Sequence, residues 1–78
     1  MSRVVRGHQG SVMALAVLPD GRVVSGSRDN TLRVWDIDSG QTITIHGDAS
    51  YMSIAVISQH QLVAGDDVGN VHFIILPE

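Results

Sequence analysis

The side chains of this 78-residue sequence that are able to do acid-base or nucleophilic chemistry are aspartates, serines and four histidines. Asp66 and Asp67 are adjacent carboxylates, as general acid-base catalysis sometimes requires, but successive residues of a strand point to opposite faces. No nucleophile motif surrounds Ser11, Ser25 or Ser50. The sequence therefore predicts no catalytic residue and no enzyme, and a hydrolase-type reaction is the weakest of the alternatives.

Histidines can bind metals, and glycine-rich loops can bind phosphates. His8, His46, His60 and His72 show no metal-binding spacing, and the chain contains no cysteine. The "SGS" stretch at 25–27 lacks the lysine and the following helix of a phosphate-binding loop. We therefore expect no metal and no other cofactor.

The composition restricts the classes of partner. The net charge is −3, and the five basic residues, all arginine, form no basic stripe. Binding to nucleic acid or to an anionic membrane surface is therefore not expected. The longest apolar run, Val12 to Leu18, is much shorter than the roughly 20 residues of a spanning helix. The default expectation is a soluble, cytoplasmic protein.

An internal repeat organises the chain. Residues 3–36 align with residues 42–75 without a gap at a constant offset of 39. Ser11 meets Ser50, Met13 meets Met52, and apolar character is conserved at many other aligned positions. A gapless match of this length indicates two copies of one supersecondary unit.

Each copy is typical of β-structure. Short runs rich in Val, Ile, Leu and Thr alternate with turn sequences such as "PDG" and "SRDN". No segment keeps a helical period over three turns. The pattern predicts an all-β chain of eight strands at about 2–6, 11–18, 22–27, 31–36, 41–45, 50–57, 61–66 and 70–76.

The first copy resembles a known family. Its sequence "GHQGSVMALAVLPDGRVVSGSRDNTLRVWD", residues 7–36, is similar to a repeat of the WD-repeat β-propeller family. The resemblance implies a four-stranded antiparallel blade. It also implies a structural hydrogen-bonded tetrad of His8, Ser25, Asp29 and Trp35, in which each buried polar group has a partner.

The second copy lacks this tetrad. At the same offset, Gly47 replaces the histidine, and the apolar residues Ala64, Val68 and Ile74 replace the serine, the aspartate and the tryptophan. A half-satisfied buried network is worse than none, so the loss of all four residues together is physically coherent. We interpret the second copy as a degenerate blade, similar to the final repeat of a propeller.

The family's repeat is offset from its blade, because the repeat begins with the outer strand of one blade and continues with three inner strands of the next. Repeat 1 is therefore expected at about 3–41 and repeat 2 at about 42–78, with residues 2–6 an outer strand that completes a neighbouring blade. Two blades cannot close a ring of typically four to eight. The chain is either a piece of a larger propeller or a unit that assembles head to tail.

Assembly of identical chains is the preferred interpretation, with four copies giving eight blades or three giving six. Such a homo-oligomer would act as a scaffold for protein or peptide partners through the turns at one end of the blades. The candidate binding face consists of Gln9, Arg28, Asp48, Tyr51, Asp66 and Asp67. The alternative is an excised or engineered half-unit with no evolved ligand beyond self-association.

Overall fold

Two antiparallel sheets make up the fold in the computed structural model, which describes residue 4 and residues 6–77. Sheet 1 contains four strands in chain order, and sheet 2 contains three. The predicted all-β class is confirmed, and each of the seven strands begins and ends within one residue of its predicted bounds. The strands are β1 (Val12–Val17), β2 (Val23–Ser27), β3 (Thr31–Trp35), β4 (Thr42–His46), β5 (Tyr51–Ser58), β6 (Gln61–Asp66) and β7 (Val71–Ile75).

The predicted outer strand at 2–6 lies mostly outside the described residues. Val4 and Arg6, the two members of that segment that the structure describes, belong to no strand. Sheet 1 has the four strands expected of a blade, and its outer strand, β4, comes from the second sequence copy. Sheet 2 ends at β7 with three strands.

The turns between the second and third strand of each sheet both contain a residue with positive φ. Asn30, between β2 and β3, has a φ of 68°, and Gly69, between β6 and β7, has a φ of 95°. The two residues are equivalent at the 39-residue offset. Both are of the types that adopt a left-handed conformation at low cost. The two copies thus share this backbone conformation although their side chains differ at this position.

One apolar core lies between the two sheets, and we call this contact the joint. Sheet 1 contributes Val24, Leu32 and Val34, which are at most 2% exposed, and sheet 2 contributes Leu62 and Ala64, which are at most 1% exposed. Partly buried side chains of both sheets surround this centre. Burial of such side chains is the main stabilising contribution available to so small a unit.

The outer side of each sheet carries uncovered apolar residues. On sheet 1, cross-strand pairing places Leu15, Val17, Val23 and Trp35 on one side, which we call the indole face. On sheet 2, it places Val63, Val71, Phe73 and Ile75 on one side, which we call the phenyl face. The exposed fractions reach 68% at Leu15 and 78% at Phe73. Val17, Val71 and Ile75 are exposed as well, whereas Val23, Val63 and Trp35 are partly buried.

Candidate functional site

The structure brings the four tetrad residues together in a continuous hydrogen-bonded chain. Trp35 Nε1 donates to Ser25 Oγ at 2.8 Å, and the Ser25 hydroxyl lies 2.6 Å from His8 Nε2. His8 Nδ1 lies 2.9 Å from Asp29 Oδ2. Because a carboxylate only accepts, Nδ1 carries the imidazole proton and Nε2 accepts from the serine. Donation therefore runs in one direction, from the indole to the carboxylate.

Four separate parts of the chain position these side chains. Ser25 lies in β2, Trp35 ends β3, and Asp29 lies in the turn between these strands. His8 reaches the tetrad from the segment that precedes β1. The preceding residue, Gly7, lies against the indole, and a Cβ there would come within 2.7 Å of Trp35 Cη2. A glycine before the histidine thus lets the two rings approach edge to face, with centroids 6.0 Å apart.

Thr31 is a fifth member that the sequence interpretation missed. Its hydroxyl donates to Asp29 Oδ1 and lies 3.2 Å from His8 Nδ1. Its backbone N–H also donates to Asp29 Oδ1, at 3.0 Å, and the Gln9 N–H donates to Oδ2 at 2.9 Å. The sequence signal for Thr31 is its position two residues after Asp29, because an aspartate in a turn often accepts a hydrogen bond from the backbone N–H two residues later.

These donors determine the charge state of Asp29. Burial alone would raise the pKa of this carboxyl, but the hydrogen bonds from Thr31, Gln9 and His8 outweigh it and hold the pKa far below its usual range. The carboxylate is therefore ionised throughout the range in which the protein is expected to fold. The carboxylate holds the imidazole proton on Nδ1 of His8, and it accepts from the backbone N–H groups of Gln9 and Thr31.

Acidification is expected to destabilise the fold through Asp29. Because the pKa is lower in the folded than in the unfolded chain, the carboxylate contributes stability above the unfolded value of about 4, and this contribution is lost as the pH falls below it. Asp29→Asn should reduce the difference between the unfolding free energies at pH 7 and pH 3. Urea titrations at both values measure it.

Asp38→Asn is the matched control, since Asp38 is an exposed aspartate of the turn between β3 and β4. The control should keep the acid dependence of the parent chain. Some dependence should also remain in Asp29→Asn, because hydrogen bonds from His72 and Asn70 lower the pKa of Asp66 as well. An acid dependence as steep in Asp29→Asn as in Asp38→Asn would contradict the role given to Asp29.

The tetrad contains the residue types of a hydrolytic triad but not its accessibility. Ser25 is only 3% exposed, and its oxygen already accepts from the Trp35 indole. A nucleophile needs a path to its substrate, which a hydroxyl this deeply buried lacks. The hydrogen bonds connect strands and turns, and the structural role of the tetrad stays a prediction.

The second blade has a polar cluster of its own, which the sequence interpretation missed. His72 Nε2 lies 2.8 Å from Asp66 Oδ2, and the His72 ring meets the Tyr51 ring edge to face at 5.3 Å. The tyrosine covers Gly47, where a Cβ would lie 2.8 Å from its Cε2 atom. The position that lost its histidine is thus filled by an aromatic ring from β5.

Four of the six residues predicted for the binding face are exposed: Gln9, Arg28, Asp48 and Asp67. The other two, Tyr51 and Asp66, have buried side chains. Tyr51 is 2% exposed because its ring packs on Gly47 and its Cβ lies close to Gly26. The Asp66 side chain is 3% exposed, because its carboxylate accepts from His72 and from backbone N–H groups of its own turn.

The turns that carry the four exposed residues are connected at one end of the two sheets, and we call these residues the turn face. The Arg28 N–H donates to the Ser11 carbonyl at 3.0 Å. The Ser50 hydroxyl reaches the Arg28 carbonyl at 3.4 Å, and the Asp67 N–H donates to the Ser50 carbonyl at 3.0 Å. Through Ser50, the turn that carries Arg28 on sheet 1 is thus linked to the turn that carries Asp67 on sheet 2.

Among the residues that the structure describes, no group of three or more histidine or carboxylate side chains is placed to hold a metal ion. Within residue 4 and residues 6–77, no helix has the length and apolar character needed to cross a membrane.

The first half of the chain matches a known protein family. Residues 1–36 match the family described as "WD domain, G-beta repeat". The chain is 47% identical over 49 residues to WD repeat-containing protein 18 of Bos taurus, covering 58% of this chain and 11% of that protein. It is 41% identical over 59 residues to the F-box/WD repeat-containing protein sel-10 of Caenorhabditis elegans, covering 74% of this chain and 10% of that protein.

A solved structure is similar along almost the whole chain. The crystal structure of the computationally designed Ika4 protein matches with a TM-score of 0.80 and 32% sequence identity. The match covers 94% of this chain and 46% of the designed one. The chain therefore spans a small part of its natural relatives and less than half of its structural relative.

Proposed function

The chain belongs to the WD-repeat family, and on that premise we propose that it is a non-enzymatic interaction scaffold whose identical copies associate head to tail into a closed propeller. Its repeats are proposed at about 3–41 and 42–78. Solubility and a cytoplasmic location stay predictions. Because the chain spans only part of its relatives, this function is assigned to the two-blade unit itself.

The observation that carries the proposal is the pair of uncovered apolar faces on opposite outer sides of one sector. Leu15 and Val17 are 68% and 66% exposed on the indole face, and Phe73 and Ile75 are 78% and 77% exposed on the phenyl face. Isolated exposed apolar residues are normal, but contiguous patches mark interfaces. Because both outer sides of the two-blade unit are uncovered, copies can pack side by side. The series forms a closed ring when the rotations between successive copies add up to a full turn.

Completion of sheet 2 is the second part of the proposal. The sheet has three strands, so β7 has a hydrogen-bonding edge with no partner strand among the described residues. Such edges recruit further strands. Residues 2–6 of a neighbouring copy are proposed as the fourth strand, since they precede the first blade as β4 precedes the second.

The mass in solution tests the proposal. Light scattering behind a sizing column should give three or four times the 8.4 kDa of one chain, corresponding to six or eight blades. Four copies are preferred. A mass of one chain, or a broad distribution of sizes, would mean that the unit needs missing blades from a longer protein.

Deleting residues 1–6 is expected to abolish the closed assembly, because each second blade would lose its proposed outer strand. The same light-scattering measurement should then report small species or aggregates. Deleting residues 77 and 78 is the matched control, because it shortens the other end of the chain, where Pro77 is exposed, and should leave the mass per assembly unchanged. An unchanged oligomer after the first deletion would refute the strand exchange.

The turn face is the proposed contact surface for peptide or protein partners. It combines the cation Arg28 with the anions Asp48 and Asp67 and the amide Gln9, all of them exposed. In a ring, this set would recur once per chain, giving alternating charge around one end. Such repetition favours an extended peptide with charges of both signs.

An engineered half-unit with no evolved ligand is the second candidate function. The observation that favours it is the 32% identity to a computationally designed protein over almost the entire chain. This candidate predicts the same assembly but a turn face without selective binding. Pull-down with immobilised assembled chains, compared with an Arg28→Ala variant, separates the two candidates: a peptide retained only by the parent chain favours the scaffold.

A further inference from the structure

Residues that are packed in the joint have repeat equivalents, at the 39-residue offset, on the indole and phenyl faces. The joint residues Val24, Leu32 and Val34 of sheet 1, shifted by 39, become Val63, Val71 and Phe73, which lie on the phenyl face. On the other side of the joint, Ile54, Val56, Leu62 and Ile74 of sheet 2 correspond to Leu15, Val17, Val23 and Trp35. Those four residues are the indole face.

We infer that two copies meet by repeating the joint: the indole face of one copy packs on the phenyl face of the next, with the geometry that the two sheets already have within one chain. This inference rests on the proposed self-association and adds which surfaces meet and in which register. The occupant of each face is a second copy of this chain, because each face is the repeat equivalent of a surface already packed in the joint.

The side-chain volumes of the two faces differ from those of the joint. Trp35 is larger than its counterpart Ile74, and Phe73 is larger than Val34. The reverse holds at the centre, where Val23 and Val71 are smaller than the joint residues Leu62 and Leu32. The gains at Trp35 and Phe73 exceed the losses at Val23 and Val71, so copies that meet in this way repack their side chains locally. These residues are apolar, but two arginines also lie at this contact: Arg33 shares the indole-face side of sheet 1 through its pairing with Ser25, and Arg6 is the repeat equivalent of Ile45.

The same equivalence fixes the strand register between copies. Within sheet 1, Val34 is paired with Ile43 and Leu32 with Ile45. Shifted by 39, these pairs become Phe73 of one copy with Val4 of the next, and Val71 with Arg6. Val4 and Phe73 are 70% and 78% exposed within one chain. A residue of the N-terminal segment is thus assigned to a defined position along β7.

A disulfide between copies tests the register. The chain has no cysteine, so Val4→Cys combined with Phe73→Cys introduces the only two thiols. Directly opposed strand residues have Cα atoms about 4.5 to 5.5 Å apart, within the range that a disulfide spans. Oxidation should link neighbouring copies, giving bands of two, three or more chains on a non-reducing gel.

Val4→Cys combined with Ile75→Cys is the matched control. Ile75 is 77% exposed on the same face of β7 but lies two residues out of register. Diagonal residues are about 7 to 8 Å apart, beyond what a disulfide bridges without backbone movement. This variant should form few links under the same oxidant, while light scattering shows that both variants assemble as the parent chain does.

The outcomes separate the register from the proposed function. Assemblies of three or four chains whose Val4→Cys/Phe73→Cys variant stays unlinked, or links no better than the control, overturn the register and leave self-association standing. A disulfide within one chain, with one-chain mass on the gel, also overturns the register. A one-chain mass for the parent protein in solution overturns both proposals.

Discussion

Replacing Trp35 with alanine is expected to lower the free energy of unfolding by about 3 kcal/mol. Large aromatic residues replaced by alanine in packed sites typically cost 3 to 5 kcal/mol, and the half-buried indole places this site at the lower end of that range. The substitution also removes the N–H that donates to Ser25, leaving a 3%-exposed hydroxyl with one partner fewer. Gly7, which lies against the ring, would lose its contact as well.

Denaturant titration of Trp35→Ala and Trp35→Phe separates packing from hydrogen bonding. The phenylalanine variant retains most of the ring but not the N–H, so we expect a loss of about 1 kcal/mol. Equal stabilities of the parent chain and Trp35→Ala would show that the indole does not connect the strands. Equal losses in the two variants would assign the whole effect to the hydrogen bond.

The second large effect is expected at the joint. Leu32 is 0% exposed between the sheets, so Leu32→Ala removes its buried branched end with both methyl groups and leaves a cavity. Substitutions of this kind cost about 2 to 5 kcal/mol, depending on how far the surroundings collapse. Because small domains are stable by only about 5 to 15 kcal/mol in total, this variant should be partly unfolded at moderate denaturant concentrations.

Val68→Ala is the control for the joint. Val68 is apolar but 69% exposed in the turn between β6 and β7, so its truncation should change the unfolding free energy by less than about 0.5 kcal/mol. Midpoints of urea unfolding followed by circular dichroism give both values. A loss at Leu32 no larger than that at Val68 would mean that the two sheets do not share one core.

The strands were predictable because their signals are local. The "PDG" turn at 19–21 places Gly21 at a φ of 94°, and strand-forming residues flank it on both sides. The tetrad was predictable only through the family resemblance, since His8 and Asp29 are distant in sequence. Composition and spacing alone would have left them as turn residues.

The fate of Tyr51 was not predictable from its neighbours in the sequence. Its position at the start of β5 suggested exposure, but the ring is buried because Gly47 and Gly26 leave room for it. That room exists only after the two sheets pack. The His72 contacts with Asp66 and with Tyr51 likewise depend on the packed second blade. Interactions that arise from tertiary packing have no signature in a single stretch of sequence.

The edge strand β7 combines three properties that favour fibril formation. The segment 71–76 reads "VHFIIL", six residues with high strand propensity, no formal charge, no proline and no glycine. It lies at the end of its sheet order, and Phe73 and Ile75 project from it largely exposed. Segments of this composition stack in register into dry steric zippers. A strand that covered β7 would therefore also shield an amyloid-prone sequence from contact with other chains.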